Sequence, residues 1–333
     1  MTSRRIRHDT LKYVLEKMLR VGVAGAHYRT RRMHGGTLGD VRLVTGQAET
    51  LDGRTVPYKL VLKIQKQWER YGDPGSWRRE YDLYVSGFGK LFQPSLRWPE
   101  CYHAEMRGNE WQIWMEYIQG VSGLALTGDM FINAAYELGR FQGRLYAQKP
   151  DILNRIANLS REDAAQKYYT YYRSSVRLYD YVRSEDCGIP RHLCAMLIDA
   201  DERADSLFKS VEALPVIFCH RDFWVTNIFD LNGQIILIDW DTSGWGYLGE
   251  DLVSLIADEA DVEHMTEYFD TCVPAYLRGF SEYVRSDIPD LHIRERIILH
   301  FGYRLVEWYL DAETEDRKKL QINTLQQIYR MGS

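Results

Sequence analysis

Hydrophobic positions recur with two different periods along the chain. From Asp9 to Leu19, Leu11, Val14, Leu15, Met18 and Leu19 return at three- and four-residue intervals, the spacing of one helix face, and Asp9 is placed to cap it. From His27 to Gln65 the period drops to two. Over Thr55 to Gln65, a strand turns Leu60, Leu62 and Ile64 to one side and Val61 and Lys63 to the other. Asp52-Gly53 supplies a tight turn before it, and the segment from His34 to Asp40 separates two earlier strands. Pro74 and Ser76 open a helix over Trp77 to Phe88, and short strands follow around Leu96–His103 and Trp111–Tyr117. Together these elements predict a small antiparallel sheet with one helix packed on it.

After Tyr117 the long period dominates. Residues 133–147, 162–183 and 191–213 read as helices, and so does most of the chain from Leu252 to Met331. Between them, Ile228–Phe229 and Ile235–Ile238 flank Asn232-Gly233, a dipeptide suited to a two-residue hairpin turn. The expected fold class is α+β. A β-rich domain over residues 1–118 precedes a mainly helical one over 119–333, and 333 residues exceed what one core normally organises.

Composition narrows the function classes. With 45% hydrophobic and 27% charged residues, the chain can bury a large core and is not disordered. No apolar run is long enough to span a bilayer. Arg4, Arg5 and Arg7 are followed at once by polar residues, so no signal peptide is expected and the cytoplasm is the expected location. Five cysteines lie scattered without a C-x-x-C pair, which fits reduced thiols better than a disulfide framework or zinc site. Nine histidines include no H-E-x-x-H arrangement. The net charge of -5 is uneven: residues 240–333 carry 18 acids and 9 bases, leaving 29 acids and 33 bases before them. That balance lacks the basic footprint of a nucleic-acid binder.

The chemistry concentrates in Cys219-His220-Arg221-Asp222-Phe223-Trp224-Val225-Thr226-Asn227 and in the strand ending Ile238-Asp239-Trp240-Asp241. An Asp and an Asn five positions apart share one loop, and a second Asp closes the next strand. Convergent oxygen ligands of this kind suit Mg²⁺ and, through it, nucleotide phosphates. Asp222 remains to accept the proton of an attacking hydroxyl. At these residues the chain resembles the aminoglycoside phosphotransferase and choline kinase branch of the protein-kinase-like fold, whose signature is H-x-D-x-x-x-x-N followed by a strand ending I-D-W.

The resemblance implies a bilobal fold and assigns roles. Asp222 becomes the catalytic base, His220 a brace for its loop, Asn227 and Asp239 the metal ligands, and Asp251 the anchor of the catalytic loop. Lys63 would bind the α- and β-phosphates, oriented by Glu80. Gly35, Gly36, Thr37 and Gly39 would form the phosphate loop. Met115 would border adenine, with Glu116 and Ile118 contacting it through their main chains. The implied cofactors are Mg²⁺ and ATP, with GTP as the other candidate nucleotide.

Three departures stand out. Arg221 replaces the usual Gly of this branch, Trp224 occupies a position that is usually basic or polar, and Tyr146 stands where His is common. Without an A-P-E-like segment after Asp239, protein phosphorylation is not expected. For the acceptor, Asp258, Glu259, Asp261, Glu307, Trp308 and Asp311 offer carboxylates and an aromatic face to a cationic amine; ordinary helix-end acids and core aromatics account for them equally well. Two readings therefore stay open: a kinase that phosphorylates a hydroxyl of a small amine-bearing acceptor, or a non-catalytic kinase-fold protein similar to the spore-coat relatives.

Overall fold

The computed structural model describes residues 6–33, 39–68, 73–161, 164–258, 260–285 and 287–332. Gly35, Gly36, Thr37 and Glu259 lie outside the described residues. The chain divides into two compact units, Met1–Lys90 with Trp98–Gln119 and Ile152–Asn158, and Leu91–Arg97 with Gly120–Asp151 and Leu159–Ser333.

The first unit begins with α1 (His8–Leu19), capped at its start by Arg7 without a side-chain bond. Asp9 is thus not the cap. It sits inside the first turn, where a carboxylate still complements the helix dipole. Strands β1 (Val23–Arg32), β2 (Asp40–Thr50) and β3 (Thr55–Lys66) form an antiparallel meander. Helix α2 (Ser76–Ser86) follows. The strand read from Leu96 to His103 splits in two. Only β5 (Cys101–Arg107) joins the first sheet, beside β6 (Glu110–Glu116), whereas β4 (Leu96–Arg97) belongs to the second unit. The sheet order is β1-β2-β3-β6-β5.

Alternation along β3 sorts the side chains onto two faces. Tyr58, Leu60, Leu62 and Ile64 pack with Val44, Trp114 and the Leu11, Val14 and Leu15 stripe of α1. Val61 turns to the opposite face, where Trp111, Ile113 and Met115 meet Trp77, Tyr81 and Tyr84 of α2. Burying each large aliphatic side chain contributes about 1.5–3 kcal/mol.

In the second unit, β7 (Val121–Ser122) leads into α3 (Gly128–Gln148); α4 (Asp151–Arg155), which follows in the chain, lies almost wholly in the first unit. The stretch 162–183 forms two helices, α5 (Ala164–Arg173) and α6 (Val176–Arg183). Ser174-Ser175 separates them, and the Ser174 hydroxyl bonds back to Tyr171 O at 2.7 Å, a local alternative to the helix ladder. The stretch 191–213 likewise breaks at Arg203 into α7 (Arg191–Glu202) and α8 (Ala204–Glu212). Next come β8 (Val216–Cys219), the hairpin β9 (Ile228–Leu231) and β10 (Gln234–Leu237), and β11 (Gly244–Tyr247). Asn232 and Gly233, at φ 55° and 86°, make the expected turn with both residues left-handed. Helices α9 (Glu250–Ala257), α10 (Met265–Ser281), α11 (Ile293–Leu310) and α12 (Glu315–Arg330) complete the chain.

The sheet β4-β10-β9-β7 and the pair β8-β11 present their loops to one another through hydrogen bonds described below. Helices α3 and α10 pack unusually closely. A methyl group on Gly139 would lie 2.1 Å from Tyr276 O, and one on Gly279 would lie 2.2 Å from Tyr136 O. Glycine is therefore required on both sides of this contact.

Candidate active site

Strand β8 ends at Cys219 and delivers His220, Arg221 and Asp222 to its tip. Two backbone N–H groups there, His220 N and Arg221 N, donate to the two carboxylate oxygens of Asp251 at 2.9 and 2.7 Å. Gln142 Nε2 donates to the same carboxylate at 2.8 Å and to Phe218 O at 3.0 Å, while Tyr276 Oη donates to Gln142 Oε1 at 2.6 Å. Burial pushes the Asp251 carboxyl up to about 6, with the two backbone donors pulling the other way.

His220 lies almost wholly buried against Trp240, ring centroids 4.4 Å apart. Its Nε2 is 3.0 Å from Ile238 O, and its Nδ1 accepts from Asp222 N at 3.3 Å. These partners place the proton on Nε2, so the neutral ring ties the loop that carries Asp222 to the strand end that precedes Asp239.

Asn227 ends a short 3₁₀ turn, its N–H donating to Trp224 O at 2.9 Å. Its Nδ2 donates to Asp222 O at 3.0 Å and to Asp222 Oδ2 at 2.7 Å. Ile238 N donates to Asn227 O at 3.1 Å, which ties Asp239 to the same loop. Burial pushes the Asp222 carboxyl up to about 8, and the neighbouring Asp239, Asp241 and Asp258 push it further in that direction. Asp239 at φ 64° and Arg221 at φ 68° are both left-handed without being glycine, a cost that persists where surrounding bonds over-determine the backbone.

Arg221 shows what over-determines it. Its side chain is 4% exposed; Nε donates to Glu250 Oε1 at 2.8 Å and Nη1 to Ser160 Oγ at 2.6 Å. Glu250 Oε2 accepts Tyr247 N at 3.2 Å, and Ser160 O accepts Trp245 N at 2.7 Å. The loop that carries Asp222, the start of α9 and the segment after Asp239 are thereby joined through one guanidinium. Sequence reasoning missed Glu250, Ser160 and Gln142 in this network. The signals for two of them are faint but present: Glu250 adjoins Asp251, and Gln142 is a polar residue set directly between Phe141 and Gly143 on a buried helix face.

In the first unit, Lys63 Nζ lies 2.5 Å from Glu80 Oε2, with the two side chains 14% and 2% exposed. Neighbouring Arg79 is equally buried, bonded to Asp73 Oδ1 at 2.6 Å and Asn158 O at 2.5 Å, which fixes the first turns of α2. Met115 is buried opposite Val61. Glu116 N donates to Glu100 O at 2.9 Å, so this N–H is used within the sheet, whereas Ile118 follows the strand end. Gly39 is placed by packing: a methyl group there would come 2.8 Å from Gln65 Oε1 and 3.3 Å from Ile64 O.

A sequence model of the phosphotransferase enzyme family APH matches residues 101–290, more than half of the chain. The chain belongs to this family. Its fold is that of small-molecule kinases. Choline kinase from Cryptosporidium parvum Iowa II superposes with a TM-score of 0.54 at 13% identity, covering 91% of this chain and 89% of that one. Amicoumacin kinase in complex with AMP-PNP, Ca²⁺ and Ami gives 0.53 at 14%, covering 97% and 96%. The microcompartment-associated aminopropanol kinase gives 0.53 at 14%, covering 94% and 93%. No protein of curated function matches the chain by sequence. The protein is thus a phosphotransferase of protein-kinase-like fold, with an antiparallel N-terminal sheet and a helical C-terminal part. Among the described residues, no helix is long and apolar enough to cross a membrane.

Within this phosphotransferase, the acceptor candidates separate. Asp258 lies close enough to Asp222 to act on its carboxyl. Asp261 caps the turn at Glu263 N and pairs with His264 Nδ1 at 3.0 Å. Asp311 pairs with Arg177 at 2.9 Å. The Trp308 ring is covered by Arg304, whose guanidinium carbon sits 4.3 Å from the ring centroid. Glu307 acts electrostatically on Tyr172.

Proposed function

We propose that the protein transfers the γ-phosphate of ATP to a hydroxyl of a small amine-bearing acceptor, with Asp222 as the base. The observation that carries this reading is the Asp222–Asn227 pair. The 2.7 Å bond from Asn227 Nδ2 holds one carboxylate oxygen and leaves the other to receive a hydroxyl proton. Asp251 and His220 fix the backbone around it. Residues 1–118 would handle the nucleotide. Lys63, oriented by Glu80, binds phosphate oxygens as a point charge, and Ile118 with the Glu116 carbonyl reads adenine beside Met115.

The donor set of the second unit fits Mg²⁺. Asn227 commits its Nδ2 to Asp222, so its Oδ1 is the atom left for a cation, and Asp239 adds a carboxylate. Among the described residues, no three His, Cys, Asp or Glu side chains form a self-sufficient cage. Few protein oxygens, completed by phosphate and water, is how Mg²⁺ is commonly held. When bound there, the ion neutralises phosphate charge during transfer. Asp258, beside Asp222, supports an acceptor carrying an ammonium group.

The reading is tested by thermal shift with ATP in the presence and absence of Mg²⁺, alongside phosphate transfer across aminoglycosides, choline-like amines, sugars and amino-alcohols. Asp222→Ala is expected to keep the nucleotide shift and lose transfer, and Asp239→Ala to lose the Mg²⁺-dependent part of the shift. Transfer by Asp222→Ala at the native rate would remove the base assignment, and a native-like shift for Asp239→Ala would remove the ligand assignment.

A further inference from the structure

Two of the five cysteines that look scattered in the sequence meet in space. Cys187 lies in the connection between α6 and α7, and Cys194 lies one turn into α7. Their sulfurs are 3.6 Å apart, in van der Waals contact. Cys194 is buried, its thiol directed to Ile189 O at 3.6 Å, whereas Cys187 is half-buried. The connection is held at its margins: Arg191 donates to Ser184 O at 2.9 Å and Glu185 O at 3.1 Å, and Gly188 N donates to Tyr181 Oη at 2.9 Å. Cys187 itself has only a long 3.4 Å backbone bond to Ser184 O, so it can close the remaining distance by a local adjustment. Cys219 and Cys272 are deeply buried, and the Cys219 thiol is directed to Ile217 O at 3.9 Å.

We propose that Cys187 and Cys194 form an oxidisable dithiol that a peroxide converts to an intramolecular disulfide, pinning the 184–190 connection to the first turn of α7. The half-buried Cys187 sulfur attacks one oxygen of the peroxide, the O–O bond breaks, and sulfenic acid and water (from hydrogen peroxide) result. The Cys194 sulfur then displaces the hydroxyl from Cys187, its own proton leaving with that oxygen as a second water. Two thiols and one hydrogen peroxide thus give one disulfide and two waters. The order of events follows from burial, which pushes the Cys194 thiol up to about 12 and leaves the first attack to Cys187. This inference is independent of the acceptor and of the roles proposed for Asp222 and the metal.

The test uses the whole protein, hydrogen peroxide at a small molar excess, alkylation of remaining thiols, and trypsin. Cleavage after Arg183, Arg191 and Arg203 places the two cysteines on separate peptides, 184–191 and 192–203. The expected product is these two peptides joined, two hydrogens lighter than their sum, with Cys101, Cys219 and Cys272 still alkylatable after unfolding. Oxidised protein should melt a few degrees higher, a shift that Cys187→Ser lacks and that a thiol reductant reverses. Recovery of both peptides separately alkylated overturns the proposal, as does Cys187 carried on to sulfinic acid beside a free Cys194, or a link between Cys187 residues of two chains.

Discussion

The residues around Asp222 and those at the ends of α10 to α12 are of the same types, yet they behave as two different materials. Around Asp222, carboxylates, an imidazole, a guanidinium and two amides are buried and share partners: Asp251 alone accepts three N–H groups. At the exposed ends of these helices, Asp261 meets only its near neighbours Glu263 N and His264, Asp311 meets Arg177, and Glu315 meets Lys318. A group in the first region cannot be removed without orphaning others in a low-dielectric setting. A group in the second is replaced by water at little cost. Counting charges along the sequence cannot separate these cases, because the distinction lies in shared partners.

The largest expected effect is on turnover. Asp222→Asn removes the proposed proton acceptor while keeping shape, and should lower kcat by about a hundred- to ten-thousand-fold with nucleotide affinity nearly unchanged. Single-turnover transfer with ATP and a working acceptor measures it, and a tenfold loss or less would show that Asp222 does not take the proton. Next, Asp251→Ala should destabilise the fold by about 3–5 kcal/mol, since three donors lose their acceptor inside the protein. Urea unfolding reads this directly, and a change below 1 kcal/mol would place Asp251 with the surface acids. Arg221→Gly tests the same region from a different side. It relieves the left-handed backbone but breaks the Glu250 and Ser160 bonds, so kcat should fall more than the melting temperature predicts, and Glu250→Gln added to it should cost little further.

A smaller effect depends on pH. His300 is buried against Tyr168 of α5 and Phe301, with Arg296 and Arg304 nearby, and burial lowers its pKa from 6.5 to about 3. The folded protein holds it neutral, so its contribution is present above pH 6.5 and is lost as pH falls from there toward 3. The loss amounts to about 1 kcal/mol per pH unit below 6. Unfolding at pH 7, 6 and 5 should show this slope flattened in His300→Gln; identical slopes would contradict it. At the small end, Asp311→Asn and Asp261→Asn should each move stability by less than about 0.5 kcal/mol. A larger shift in either would mean that the outer helices are more interdependent than their geometry indicates.

The fold was legible where a period was strict or a turn demanded special residues. The two faces of β3, the helix at the start and the Asn232-Gly233 hairpin follow from local rules, and the structure has them. Boundaries set by distant partners were not legible. Leu96-Arg97 reads as the start of the strand that ends near His103, but pairs in parallel with Ile235-Ile236 instead. At the site, the spacing of His220, Asp222, Asn227 and Asp239 was enough to find a loop, and the structure brings Lys63 against Glu80. What holds the loop was hidden, because Gln142, Ser160 and Tyr276 lie far from it in sequence and carry no motif. The Cys187–Cys194 contact escaped for a related reason: six residues separate them, and only the helix start at Arg191 folds one back on the other.

The stretch from Asp239 to Tyr247 has a consequence for the timing of the reaction. It is stitched on one side to β8 and on the other to Ser160, whose backbone lies so close to Gly244 that a methyl group there would sit 2.1 Å from Ser160 O. The conformational entropy of this segment is therefore surrendered once, when the chain folds, rather than at every catalytic cycle. An enzyme built this way starts each turnover with that segment already in place, and does not spend substrate-binding energy on ordering it.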